Sequence, residues 1–180
     1  MTSRKCQLLE MAKTMNVSKS EGAVLTYLLV DESLDDSEAV ANIMELLLAS
    51  VESTATALVW ALYELAQNSQ YLRRLEADIE DVIGSEAAPT IKSVDKMPFL
   101  KNCVKETLRL YPSLVATVRT IEDDMEMDGY FLPKGTLLQF NNYNISMSAK
   151  YFEEPEKFDP DRWDRDTRKK FHPFSSIPFG

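Results

Sequence analysis

"KETLRLYP", residues 105–112, reads as the last turns of a helix stopped by a proline. Tyr111 precedes Pro112, and the residue before a proline is pushed out of the helical region. Counting back, Pro98 suits the first turn of the same helix, where its missing N–H is no loss. The spacing therefore predicts a helix over "PFLKNCVKETLRL", with Leu100, Val104, Thr107 and Leu108 facing one way. Glu106 and Arg109 stand at i, i+3 and can pair. An exposed pair of that kind is worth under about 1 kcal/mol, so its weight depends on burial. Lys101 and Lys105, at i, i+4, share a face that ordinarily meets solvent. Cys103, near the apolar side, reads as an inert packing thiol.

Upstream, "NSQYLRRLEADIEDVIGS" is an amphipathic helix with a stripe of Leu72, Leu75, Ile79, Val82 and Ile83 and with Gly84 closing it. "AAPTIKS" reads as a loop. Further back, Asp35 and Glu38 make a capping-box pattern ahead of a run to Gln67 that contains neither Pro nor Gly. That run is apolar nearly all round: Ile43, Met44, Leu46, Leu47, Leu48, Val51, Leu58, Val59, Trp60, Leu62 and Leu65. Such a helix is expected to be buried, and it calls for more protein around it than these residues offer. Residues 5–16 and 20–30 are shorter helix candidates.

Downstream the pattern changes. "LVATVRTI" is β-branched and strand-like, and "MEMDGYFLPKGTLLQF" reads as two short strands around Gly129 with a Pro-Lys-Gly turn. "NYNISMSAKYF" is a short helix candidate. "FEEPEKFDPDRWD" is an acidic, proline-studded loop anchored by Phe and Trp. Helices, then a small antiparallel sheet, then coil give a mainly α fold with a β annex.

The 180 residues carry 20 basic and 29 acidic side chains, a net charge of −9. That lacks the basic footprint of a non-specific nucleic-acid binder. Two cysteines, Cys6 and Cys103, form neither a disulfide framework nor a zinc spacing. His172 is the single histidine, which excludes a multi-histidine metal site within the chain; beside Pro173 it reads as a packing or capping residue. "MTSRKCQLLE" has no signal-peptide core, and Glu45, Glu52 and Glu64 interrupt the longest apolar region, so no membrane span is expected.

Two further stretches bear on chemistry. Arg162, between Phe158, Pro160 and Trp163, looks like a buried arginine in need of a carboxylate, and a Glu–Arg–Arg network would supply one. In "ASVESTAT", Glu52, Ser53 and Thr54 interrupt a core-facing run. Hydroxyls there can back-bond to the helix, which makes a satisfied polar notch. Alternatively, a carboxylate beside an alcohol can relay protons to a ligand.

These stretches, in this order, resemble the C-terminal half of a cytochrome P450, a heme-thiolate monooxygenase, from about residue 20 to the end. "ELLLASVESTA" resembles the family's long central helix with its Ala-Gly-x-Asp/Glu-Thr-Thr signature. "KETLRLYP" carries the Glu-x-x-Arg pair. "VATVRTIEDDMEMDGYFLPKGT" resembles the strand and hairpin that follow, "YFEEPEKFDPDRW" the Phe-x-Pro-x-Arg-Trp segment, and "PFG" the start of the heme loop.

The resemblance implies one partial catalytic domain over residues 1–180 and a heme (iron protoporphyrin IX) cofactor. It implies a structural triad of Glu106, Arg109 and Arg162. Arg119 would meet a heme propionate, and Phe179 would open the heme loop. The iron-ligating cysteine would fall beyond Gly180, so no metal ligand is expected within the chain. Glu52 and Ser53 would be the acid–alcohol pair of O2 activation. There the sequence departs from the family, with Ser53 in place of threonine and Ser50 in place of glycine or alanine. Serine lacks the β-branch that stiffens threonine. Lys101 and Lys105 resemble the mitochondrial class, in which two lysines face an acidic ferredoxin-type iron–sulfur protein. "VEST" and "MPFLKNCVKE" lean toward the vitamin D 24-hydroxylase group. The implied substrate is lipophilic, sterol- or secosteroid-like, and the implied location is the matrix side of the mitochondrial inner membrane, with membrane contact through a region outside these residues. The alternatives are a microsomal enzyme of the endoplasmic reticulum fed by a flavoprotein reductase, or a truncated, non-catalytic piece.

Overall fold

The computed structural model describes residues 34–84, 88–167 and 171–179. The helix candidates at 5–16 and 20–30, and Cys6, lie outside the described residues. By its internal contacts the chain divides into two compact units, Met1–Thr54 and Ala55–Gly180.

Helix α1 runs Asp36–Gln67, 32 residues and about 48 Å at 1.5 Å per residue. Its start is capped reciprocally. Asp35 Oδ1 accepts from the Ser37 and Glu38 amides at 2.7 and 2.8 Å, and Glu38 Oε2 accepts from the Asp35 amide at 2.8 Å. The expectation of all-round burial is corrected: Met44, Leu46, Leu47, Leu48, Val51, Leu58, Val59 and Leu62 are each more than half exposed, whereas Leu65 is buried. An apolar surface seeks cover, but the pattern does not say where the cover comes from. The sequence leads to no expected membrane span, and α1 bears on that expectation without overturning it. By length and composition Ser37–Gln67 qualifies, with a mean hydropathy of 1.4. The qualifying stretch still contains a carboxylate, since the widest gap between Glu45, Glu52 and Glu64 is 11 residues, and its apolar neighbours outweigh that charge. A core helix passes the same test, so the helix by itself assigns no membrane span.

Helix α2, Ser69–Val82, ends as the sequence suggests. Gly84 takes φ 74 and donates to the Glu80 carbonyl at 2.9 Å, a left-handed closing residue that glycine adopts without a Cβ penalty. Of its stripe Leu75 is buried, while Ile79 is exposed. Part of the expected loop before Pro98 is a short helix, α3, Ile91–Asp95. It forms because the Thr90 hydroxyl caps the Ser93 amide at 3.2 Å and the Ser93 hydroxyl accepts from the Thr90 amide at 2.8 Å.

Helix α4, Pro98–Leu110, has the expected boundaries but a different inner face. Phe99, Asn102, Cys103, Glu106, Thr107, Arg109 and Leu110 are buried, and Val104 is 47% exposed. Apolar periodicity misplaces the face because the buried polar residues satisfy one another. Leu65, Tyr71, Leu75, Phe99, Cys103, Leu110 and Phe158 form the core cluster of the second unit.

The β annex is two antiparallel pairs. β1 (Thr117–Thr120) pairs with β4 (Leu137–Phe140), setting Arg119 opposite Leu138. β2 (Met125–Met127) pairs with β3 (Tyr130–Leu132) across a two-residue turn in which Asp128 and Gly129 both have positive φ, 51 and 81. The sequence located Gly129 in the hairpin but merged β3 and β4. Helix α5, Asn142–Ser146, and 3-10 turns at Pro160–Trp163 and Pro173–Ser175 complete the described elements. His172 caps the last of these: its Nδ1 accepts from the Phe174 amide at 3.2 Å.

Candidate functional site

Glu106 is fully buried and accepts hydrogen bonds on both carboxylate oxygens. Arg109 grips it bidentately, Nη2 to Oε1 at 2.7 Å and Nε to Oε2 at 2.9 Å. Arg162 Nε reaches Oε1 at 3.2 Å, the Asp159 amide reaches it at 3.1 Å, and Trp163 Nε1 reaches Oε2 at 2.8 Å. Further donors of the two arginines go to carbonyls. Arg109 Nη1 donates to Pro155 at 2.7 Å and Ser146 at 2.9 Å, its Nη2 to Lys157 at 3.2 Å, and Arg162 Nη2 to Glu154 at 2.8 Å. Glu154 holds a positive φ of 45 to present that carbonyl, and Arg109 also lies over the buried Phe152 ring, 5.0 Å from its centroid. Two cations against one anion, all desolvated, are tolerable only because carbonyl dipoles take the remaining charge.

The structure thus brings together Glu106, Arg109 and Arg162 and adds Trp163, which sequence reasoning read only as an anchor. Its adjacency to Arg162 was the available signal, since an indole N–H needs an acceptor when its ring packs inward. Glu52 and Ser53 are exposed on α1 rather than buried. Ser53 Oγ donates to the Ala49 carbonyl at 2.7 Å and Ser50 Oγ to the Leu47 carbonyl at 2.8 Å. Both hydroxyls are back-bonded, which leaves their lone pairs free to accept. Arg119 is exposed on β1, its Nη1 donating to its neighbour's carbonyl at 2.8 Å. Lys101 is exposed and pairs with Asp95 at 2.7 Å. Lys105 is half-buried rather than fully exposed, because its stem lies along an apolar groove of about 570 Å³ lined by Val94, Leu100, Val104, Trp163 and Phe179. Phe179 itself is 82% exposed.

A family model for cytochrome P450 matches residues 7–180. The chain belongs to the cytochrome P450 family. It is 41% identical over 149 residues, 83% of the chain, to the mouse (Mus musculus) mitochondrial 1,25-dihydroxyvitamin D(3) 24-hydroxylase. It is 39% identical over 160 residues, 87% of the chain, to the human (Homo sapiens) mitochondrial sterol 26-hydroxylase. Over 176 residues, 97% of the chain, it is 39% identical to cytochrome P450 27C1 of Danio rerio. The matched region spans 29–32% of the length of these relatives.

Heme is the cofactor expected of a cytochrome P450. The residues present fit its periphery. Arg119 offers an exposed planar guanidinium suited to a carboxylate, and Phe179 an exposed aromatic ring. Among the described residues the one cysteine is Cys103. Cys103 is 3% exposed, and burial pushes its thiol up to about 12, so it is no thiolate. No cluster of metal-binding side chains occurs among the described residues.

Proposed function

We propose that this chain forms part of a heme-dependent monooxygenase that inserts one atom of O2 into a lipophilic, sterol- or secosteroid-like substrate in the mitochondrion, with electrons from a ferredoxin-type iron–sulfur protein. What carries the reading is the similarity, 39–41% identity, to relatives whose names specify mitochondrial hydroxylation of a dihydroxyvitamin D and of a sterol. The cytochrome P450 match runs through both compact units, which supports reading residues 1–180 as part of one catalytic domain. Attachment to the matrix side of the inner membrane belongs to the same proposal.

Heme, when bound, supplies the oxygen-activating chemistry. The chain's own residues would hold, protonate and feed it. Arg119 would neutralise a propionate, and Phe179 would wall the pocket. Glu106, Arg109 and Arg162 would brace the core beside it; they touch no substrate. Glu52 and Ser53 would move protons, the carboxylate as a source and the Ser53 hydroxyl as an acceptor and donor along a water chain. Lys101 and Lys105 would steer an acidic electron donor toward α4.

The test is turnover of the heme-loaded protein with isotopically labelled O2 and a sterol or secosteroid, comparing a mitochondrial ferredoxin with a flavoprotein reductase as donor. One labelled oxygen in the product, with ferredoxin the better donor, is expected. Turnover with the flavoprotein reductase alone would overturn the partner and compartment assignments. Unlabelled product would overturn the reaction.

A further inference from the structure

Tyr111 is the residue at which α4 stops, with φ −129 and ψ 65, and Pro112 behind it keeps its backbone non-helical. Its side chain is held on two sides. The ring lies flat on Trp60, with centroids 4.0 Å apart and planes 2° from parallel. The hydroxyl donates to Glu64 Oε1 at 2.6 Å, within the short range of charge-assisted O–H···O bonds. Glu64 is only 9% exposed. Its second oxygen accepts from Asn68 Nδ2 at 3.2 Å, and the same amide donates to the Glu64 carbonyl at 2.8 Å where α1 ends. Burial, and then the hydrogen bond it donates to Glu64, push the Tyr111 phenol well above its ordinary range, so its proton stays on the tyrosine.

None of the roles assigned above uses these residues. Beyond Tyr111 the chain runs through residues 112–116, where the Val115 carbonyl is pinned by the Tyr143 amide at 3.1 Å, and directly into β1, which carries Arg119. We propose that Trp60, Glu64 and Tyr111 form a clamp that fixes the direction in which the chain leaves α4 and so presents Arg119 to the anionic edge of the heme. Tyr111 is then a positioning residue acting through Arg119, and the inference rests on the reading of Arg119 given above. The physical basis is leverage. A planar guanidinium grips a carboxylate only when its fork is aligned, and a strand entered from a fixed point holds that alignment better than one entered from a free helix end.

Tyr111→Phe keeps the ring and the stack on Trp60 and removes one oxygen, so it tests the clamp without emptying the core. In the heme-loaded protein, hydrogen exchange of the β1 amides is expected to quicken about tenfold, the size of one lost hydrogen bond to a charged group. The amides of α2 should be unchanged. Heme transfer to an excess of a scavenging apoglobin should also quicken. Tyr111→Phe combined with Arg119→Gln should release heme no faster than Arg119→Gln alone, whereas a merely structural role would give additive rates. Unchanged β1 exchange, or additive heme release, overturns the clamp. Should a chain that continues through the expected cysteine hold no heme-thiolate, the functional reading falls, and the exchange measurement still decides whether Tyr111 holds β1.

Discussion

Glu106 opposes two guanidinium groups with one carboxylate, which accepts five hydrogen bonds. Removing the carboxylate leaves two buried cations facing each other. Glu106→Ala is expected to cost about 3–5 kcal/mol, the usual penalty for breaking a buried pair, read as the loss in urea unfolding free energy. Arg109→Lys should fare nearly as badly, because an ammonium cannot span both carboxylate oxygens and the carbonyls of Ser146 and Pro155; an unchanged midpoint in either variant would contradict the network. The spacing of Glu106 and Arg109 made a pair legible but favoured a surface one, and Arg162 read as a buried charge in need of a carboxylate; that the three meet was implied only by the family resemblance. The part of Trp163 was not, since an aromatic residue in a proline-rich loop reads equally well as packing. Ser53 belongs to the same scale. Its hydroxyl already donates to Ala49, so Ser53→Ala should leave thermal stability within a degree or two of the parent. If the hydroxyl also accepts protons for the reaction, the same change lowers product formed per electron consumed, and Ser53→Thr holds or raises it. Equal ratios in all three proteins would make Ser53 a helix hydroxyl only.

Elements show where sequence pattern stops being informative. The cap at Asp35, the closing residue Gly84, Pro98 at the start of α4 and the turn at Asp128–Gly129 are local, and local chemistry fixes them. Gly84→Ala illustrates this. A Cβ there meets nothing within 4 Å, so the whole effect is backbone strain at φ 74, about 1 kcal/mol of stability. A change above twice that would show contacts that the backbone argument omits. Faces are not local. The inner face of α4 was misread because Glu106 and Arg109 bury polar groups where periodicity looks for apolar ones. The apolar length of α1 was read correctly, yet most of that surface meets no other described residue closely enough to leave water. On α4, Lys101 and Lys105 edge a groove ending at Phe179. Lys101→Glu with Lys105→Glu is expected to slow reduction by a ferredoxin about tenfold or more at low salt, with the difference shrinking as salt rises. Peroxide-driven turnover should be spared; equal loss in both assays would place the lysines in folding instead of docking.

At the scale of the molecule, the matched region is 29–32% of the length of the relatives, and family membership is written into it several times over. The order of the elements follows from the sequence: long helix, ion-paired helix, paired strands, then a coil that returns Arg162 to Glu106. The division at Thr54 does not, because α1 runs through it without a break in pattern. Heme chemistry at this scale requires a thiolate, and Cys103 is excluded by burial and by a thiol pushed up to about 12. The most direct check is the absorption spectrum of the reduced carbon-monoxide complex, recorded for residues 1–180 alone and for a heme-loaded chain that continues through the expected cysteine, each as parent and as Cys103→Ala. A thiolate-type Soret band is expected only from the longer chain, at equal intensity per heme in parent and variant. A longer chain with an imidazole-type band would contradict a heme-thiolate enzyme, and a thiolate band from residues 1–180 that is lost in Cys103→Ala would contradict the structure's placement of that cysteine in the core.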